Sequence, residues 1–176
     1  MQRVTGQTSL VPQKLKAIST TEEKSRIITG ISELDRVLGG GIVIGSVILI
    51  GGEPGIGKST ILLQLCGEVS KTKNVLYVTG EESVRQIKLR AVRLNVPEDN
   101  IPLVAVTYMD QICSLIESMQ PDLVVISPIQ TMRCTDTSSS AVPVSPVKET
   151  TARFLKVTKK TKIPTLIISN LKTKET

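Results

Sequence analysis

A glycine-rich segment between residues 46 and 60 limits what this chain can fold into more than any other part of it. The segment reads Ser-Val-Ile-Leu-Ile-Gly-Gly-Glu-Pro-Gly-Ile-Gly-Lys-Ser-Thr. The apolar run 47–50 has the length and branching of a buried strand. After the glycines, Ile61, Leu65 and Val69 recur at the spacing of one helix face. The segment therefore predicts a strand, a tight turn and a helix.

The turn has the spacing of a phosphate-binding loop. Its glycines let the backbone curl with N–H groups inward, and the start of the helix adds partial positive charge. In this pattern Lys58 reaches the β- and γ-phosphates of a nucleoside triphosphate, and the Ser59 hydroxyl binds Mg²⁺. The alternative is a turn that only joins a strand to a helix, but the strand-turn-helix context favours the phosphate loop. The expected nucleotide contacts are Gly52, Glu53, Pro54, Gly55, Ile56, Gly57, Lys58, Ser59 and Thr60.

Strands and helices alternate along the rest of the chain. Ser32, Ser83 and Asp110 have the side chains of helix N-caps, and each precedes a helical pattern, as does the basic segment 147–161. Nearly all-apolar strands predict an α/β fold, a parallel sheet with helices on both faces and ligands at the carboxyl ends of its strands. The strands are expected at residues 47–50, 74–79, 101–107, 122–127 and 164–169. We expect residues 1–25 to be a flexible leader and 26–176 to be one domain.

The net charge of +6 is concentrated near the C-terminus. Residues 148–176 carry eight basic side chains against two acidic ones, which accounts for the whole excess. Such a cluster is either a surface for a polyanion or a solvated helix face.

The cysteines and the hydropathy of the chain limit the cellular compartments in which the protein is expected. The three cysteines lie far apart and the chain has no histidine, so we expect reduced thiols and no zinc site. No apolar run approaches the ~18 residues of a membrane span, and the first twenty residues have no apolar signal core. The expected location is the cytoplasm, with an organelle transit peptide left open by a start that has no acidic residue before Glu22.

Two adjacent carboxylates are candidates for catalysis. Glu81 and Glu82 follow the second strand directly, and neighbouring parallel strands bring their carboxyl ends to one edge. A carboxylate beside the phosphate loop orients or deprotonates the attacking water in nucleotide hydrolysis. The alternative is an acidic pair that begins a helix, favoured by the helix dipole and by the Ser83 cap.

The end of the fourth strand departs from the usual metal-binding pattern. A second Mg²⁺ ligand there is normally an aspartate, whereas this strand ends at Ser127. Asp122 begins the same strand, about 16 Å from the catalytic edge at ~3.3 Å per residue, and cannot substitute. Ser127 can hold a metal-bound water but has no charge, so weaker metal binding and hydrolysis are expected. Further along, Gln130 either senses a γ-phosphate or is a polar loop residue. Asn170, with Lys172 and Lys174, either contacts nucleotide or polyanion or belongs to a solvated tail.

Six segments together resemble a known family. They are Thr29-Gly-Ile-Ser-Glu-Leu-Asp-Arg-Val-Leu-Gly-Gly-Gly41, the phosphate loop 49–60, the segment 76–90, Pro121-Asp-Leu-Val-Val-Ile126, Ile129-Gln-Thr131 and the start of the helix at Val147-Lys-Glu149. Over about residues 29–175 the chain resembles the ATPase core of the RadA (Sms) DNA repair proteins, members of the RecA superfamily.

The resemblance implies a fold, cofactors and partners that the phosphate loop by itself does not. It implies a RecA-like fold, ATP with Mg²⁺, a hexameric ring, single-stranded DNA in the central channel, and the processing of recombination intermediates. It also implies that Glu81 is the catalytic carboxylate and that the loop after the fourth strand faces DNA. The basic residues expected to contact DNA are Arg133, Lys148, Lys172 and Lys174.

The chain also departs from the family pattern. The family has aspartate and serine where this chain has Ser127 and Pro128, and a Gly-His pair where it has Ser169 and Asn170. The family's four-cysteine zinc finger and its Lon-protease-like domain are not expected here, nor are the last strands of its core. Two functions therefore stay open: a DNA-dependent ATPase, and a degenerate nucleotide-binding module with little or no hydrolysis.

Overall fold

A short antiparallel pair of strands precedes the main sheet. In the computed structural model, which describes residues 11–18, 25–97, 99–135 and 145–171, β1 (Arg26–Ile27) pairs with β2 (Ile42–Val43). Helix α1 (Ser32–Val37) lies between them in sequence. Strands of two residues have no hydrophobic period, which is why the sequence does not predict this pair.

Within the described residues the central sheet has five strands, and all four of their pairings are parallel. Its order is β3-β7-β6-β4-β5, so the strand before the phosphate loop lies at one edge. This arrangement confirms the predicted α/β class. The strands are β3 (Val47–Gly52), β4 (Val75–Thr79), β5 (Leu103–Ala105), β6 (Leu123–Ser127) and β7 (Thr165–Asn170).

Helices cover both faces of this sheet and create two apolar cores. Successive side chains of β4 point to opposite faces, so Tyr77 belongs to one core and Val78 to the other. The first core includes Leu62 and Leu65 of α2, and the second includes Phe154 of α5. None of the described helices has the length and apolar content needed to span a bilayer. The helices are α2 (Lys58–Ser70), α3 (Val84–Arg93), α4 (Met109–Met119) and α5 (Pro146–Thr161).

One of the three predicted helix caps is confirmed. Ser83 accepts a hydrogen bond from the backbone N–H of Gln86, whose side chain accepts one from the backbone of Ser83 in return. The prediction for Ser32 was wrong, because Ser32 is the first helical residue and Ile31 is the N-cap. The prediction for Asp110 was also wrong: α4 begins one residue earlier. The Asp110 carboxylate instead forms an ion pair with Arg153 of α5 at 2.8 Å.

The loop after β6 is partly ordered in the described residues. Ile129–Thr131 forms one 3-10 turn, and Arg133 makes a backbone bridge to Tyr108. Residues 136–144 of the predicted polar loop, and most of the predicted leader 1–25, lie outside the described residues. Within that leader, Leu15–Ala17 forms a 3-10 turn.

Candidate active site

The loop between β3 and α2 has backbone angles that favour glycine. Gly55 has φ +84° and Gly57 has φ +98°, both in the left-handed region. A Cβ atom added at either position would meet no atom within 4 Å, so backbone strain and not space selects glycine here. Gly57 is the N-cap of α2, whose first residue is Lys58. The free N–H groups of this helix start therefore adjoin the loop.

Lys58 is almost buried, with 8% of its surface exposed. Its ammonium group donates to the backbone oxygens of Gly52 at 2.8 Å and Glu53 at 2.5 Å. The loop thus wraps around the lysine side chain and holds its charge within the turn.

A cavity of about 340 Å³ opens beside this loop. It unites residues from the ends of β4, β6 and β7 with the phosphate loop, as expected for the carboxyl edge of a parallel sheet. Gly52, Glu53, Ile56 and Gln130 are described by the structure but are not among its lining residues. The lining residues are Pro54, Gly55, Gly57, Lys58, Ser59, Thr60, Glu81, Glu82, Arg90, Ser127, Pro128, Ile168 and Asn170.

The two candidate carboxylates differ in their partners. Both carboxylate oxygens of Glu82 accept from the Arg90 guanidinium, the Nη1 contact being 2.9 Å and the second contact joining Nη2 to Oε2. This hydrogen bond raises the pKa of Arg90. Glu81 is exposed and has no hydrogen-bond or ion-pair partner within the described part of the chain. Of the two, only Glu81 has an unpaired carboxylate at the cavity.

Ser127 closes the cavity at the end of β6 and is 5% exposed. On the neighbouring strand β4, burial raises the pKa of the Tyr77 phenol. The Ser127–Pro128 peptide bond is cis. The position expected to supply a metal ligand therefore carries a neutral hydroxyl in a buried setting.

The residues at this cavity fit a nucleoside triphosphate. The open space at Gly55 and Gly57, the helix start at Lys58 and the hydroxyl groups of Ser59 and Thr60 form a cradle for phosphate oxygens. A Mg²⁺ ion would take Ser59 and Ser127 as its hydroxyl ligands. Among the described residues no group of three His, Cys, Asp or Glu side chains forms a metal site. The donor set thus suits a metal ion that also binds phosphate, and not one held by protein alone.

Comparison with known proteins gives the family. A family model described as "ATPase: KaiC" matches residues 27–101, which include the phosphate loop and Glu81. The chain is 46% identical over 170 residues to "DNA repair protein RadA" of Bacillus subtilis (strain 168) and 50% identical over 147 residues to that of Escherichia coli (strain K12). These alignments cover 96% and 84% of the chain. The chain carries the ATPase core of the RadA family.

The RadA resemblance read from the motifs is therefore confirmed, and so is the RecA-like ATPase fold. The family model over residues 27–101 is that of an ATPase, and the matched relatives are named DNA repair proteins. The chain spans 37% of the length of the Bacillus RadA and 32% of that of the Escherichia RadA.

The basic surface of the RadA core is less uniform than its sequence indicates. Arg133 and Lys148 are exposed, whereas Lys172 and Lys174 lie outside the described residues. On α5, Lys160 pairs with Glu117 of α4 at 2.7 Å, in addition to the Arg153 pair with Asp110. These two basic residues of α5 are therefore already matched by acidic partners.

One charged residue that lines the cavity, Arg90, is not among the site residues predicted from the sequence. A signal for it exists, because Arg90 lies two turns after the Ser83 cap and hence on the face of α3 that adjoins Glu82. Pro128 and Ile168 also line the cavity, but an apolar strand and a loop proline carry no such signal.

Proposed function

We propose that this chain binds ATP with Mg²⁺ and hydrolyses it as a DNA-dependent ATPase of the RadA type, acting on single-stranded or branched DNA in recombinational repair. The observation that carries the proposal is the single cavity shared by the phosphate loop and the unpaired carboxylate of Glu81. Hydrolysis needs a phosphate cradle and a group that orients water, and both lie on this edge of the sheet.

Each residue has a distinct role in this proposal. The backbone of the loop and the Lys58 ammonium bind the phosphates, and Ser59 is the hydroxyl ligand of the metal. When bound, Mg²⁺ offsets phosphate charge. Glu81 orients the attacking water and accepts its proton, because of the two carboxylates at the cavity it is the one that no described side chain holds. Glu82 is occupied by Arg90 and is not the base.

Ser127 favours a second candidate function. A neutral, buried hydroxyl replaces the charged ligand usual at this strand end. A chain of this kind binds nucleotide but turns it over poorly, and acts through binding or assembly.

The remaining parts of the proposal concern assembly and place. By the resemblance to RadA we propose a homo-oligomer, a hexameric ring, in the cytoplasm, without zinc, in which residues 26–176 form one ATPase domain preceded by a leader. Arg133 and Lys148 contact DNA phosphates because they are exposed and basic. Analytical ultracentrifugation with and without ATP tests the ring.

ATP turnover measured with and without single-stranded DNA separates the two functions. The ATPase proposal expects turnover that DNA stimulates, and the alternative expects ATP binding with almost none. Lys58→Ala is expected to abolish nucleotide binding in both cases, whereas Lys71→Ala at the far end of the same helix leaves it intact. Folded protein that fails to bind fluorescent ATP in the presence of Mg²⁺ would overturn both functions.

A further inference from the structure

Glu81 lies in the middle of a short segment that is pinned on both sides. On one side the backbone N–H of Gly80 donates to the carbonyl oxygen of Ser127 at 3.1 Å. Gly80 also packs so closely that an added Cβ would lie 1.9 Å from the hydroxyl of Thr131. This contact lets only glycine precede Glu81 and ties the segment to the loop after β6.

On the other side, Glu82 is held twice. Its backbone makes two hydrogen bonds with the hydroxyl of Thr79, accepting at 2.8 Å and donating at 3.1 Å. Its carboxylate is held by Arg90 through two parallel contacts, with about a quarter of each side chain exposed. Paired guanidinium and carboxylate groups in this arrangement are geometrically specific.

Arg90 also links this segment to a helix that is itself well anchored. Helix α3 begins at the reciprocal cap of Ser83 and Gln86, and Ile87 and Ala91 bury its inner face. The ion pair therefore joins the segment that carries Glu81 to a rigid element.

We propose that Arg90 is a positioning residue for hydrolysis, which acts by holding Glu82 so that, of the two carboxylates at the cavity, Glu81 stays unpaired and at a fixed place. This inference rests on the proposed function, in which Glu81 orients water. Arg90 pairs with Glu82, one of two chemically identical carboxylates, and thereby fixes the position of the other, Glu81. Of the two adjacent glutamates, Glu82 therefore has a structural role and Glu81 a reactive one.

The test compares Arg90→Met with Arg93→Met, which removes an exposed arginine from the same helix. Arg90→Met is expected to lower kcat about ten- to a hundredfold with little change in KM for ATP, since misplacement by about 1 Å can cost this much. Arg93→Met is expected to leave both constants unchanged. Arg90→Lys keeps the charge but not the paired contacts, and is expected to restore only part of the rate.

Combining variants shows whether Arg90 acts through Glu81. In a Glu81→Gln background the added Arg90→Met change is expected to cost no further activity, because the group it positions is already gone. A purely structural role would give the same loss in both backgrounds. Glu82→Gln is expected to lower kcat much less than Glu81→Gln, and an equal loss would overturn the assignment.

Hydrogen exchange of nucleotide-free protein provides a readout besides activity. The backbone amides of Gly80 and Glu82 are hydrogen-bonded, and Arg90→Met is expected to speed their exchange about tenfold relative to Arg93→Met. Unchanged exchange would overturn the inference even in a protein that hydrolyses ATP. If wild type binds ATP but shows no turnover, the ATPase proposal fails while the exchange result still decides whether Arg90 braces this segment.

Discussion

The side-chain amide of Gln130 forms a closed pair of hydrogen bonds with the backbone of Asn170. Its nitrogen donates to the Asn170 carbonyl oxygen at 2.9 Å, and its oxygen accepts from the Asn170 N–H at 3.2 Å. The same nitrogen also donates to the Ser169 hydroxyl at 2.7 Å. The glutamine side chain therefore connects the loop after β6 to the end of β7 through hydrogen bonds of the kind that paired backbone groups make.

We predict that Gln130 contributes to stability in the absence of any nucleotide. Gln130→Ala is expected to lower the free energy of unfolding by about 1–2 kcal/mol, because several partly exposed hydrogen bonds are lost. Urea denaturation measures the change, with the exposed helix residue Gln111→Ala as the matched control. A loss of nucleotide affinity with unchanged stability would instead support the γ-phosphate interpretation.

A charged side chain at position 127 is predicted to lower stability and to raise activity. Ser127→Asp is expected to lower the free energy of unfolding by about 1–3 kcal/mol without ligand, because the new carboxylate is nearly buried. With Mg²⁺ and ATP it is expected to raise turnover about tenfold or more. Thermal melts and turnover assays check this, with Ser127→Asn as the neutral control. Wild-type turnover that Ser127→Asp does not improve would contradict the defective-site argument.

Stability is predicted to fall in alkali because of two buried acids. Burial raises the pKa of the Cys66 thiol and of the Tyr77 phenol well above their ordinary values of 9.0 and 10.0. Above pH 9 the unfolded chain loses a proton that folded Cys66 retains, so the free energy of unfolding decreases by up to about 1.4 kcal/mol per pH unit.

Urea unfolding between pH 8 and 10 measures this slope. Cys66→Ala lowers stability at every pH through its cavity but is expected to have the shallower slope between pH 9 and 10. Parallel slopes for the variant and the wild type would show that Cys66 is not the group responsible.

DNA affinity is predicted to depend on unpaired basic residues. Lys148→Ala is expected to weaken binding of single-stranded DNA at any sequence and to reduce the salt dependence of log K by about one unit or slightly less. Lys160→Ala is expected to change both less, because Lys160 already pairs with Glu117. Fluorescence anisotropy across a salt series compares them, and affinity independent of salt would exclude lysine contacts altogether.

Much of the fold was predictable because its signals are local. The alternation of apolar strands with helices, the glycine turn and the Ser83 cap depend on residues a few positions apart, and the structure confirms all three. The cap at Asp110 was wrong because its carboxylate pairs with Arg153 of α5, and the cap at Ser32 was wrong because α1 begins at Ser32 itself. The capping propensity of a residue type does not include contacts that form only between elements distant in the sequence.

The sequence by itself determined the phosphate loop, the parallel α/β class and the family, because spacing along the chain encodes all three. Only the tertiary structure decided the strand order and the contact between Gln130 and Asn170, which lie forty residues apart. The pairing of Arg90 with Glu82 has a local signal in the helix that follows the Ser83 cap, but the structure was needed to show which of the two adjacent glutamates stays unpaired. Side chains of equal chemistry acquire different roles through neighbours that the chain supplies from other strands and helices.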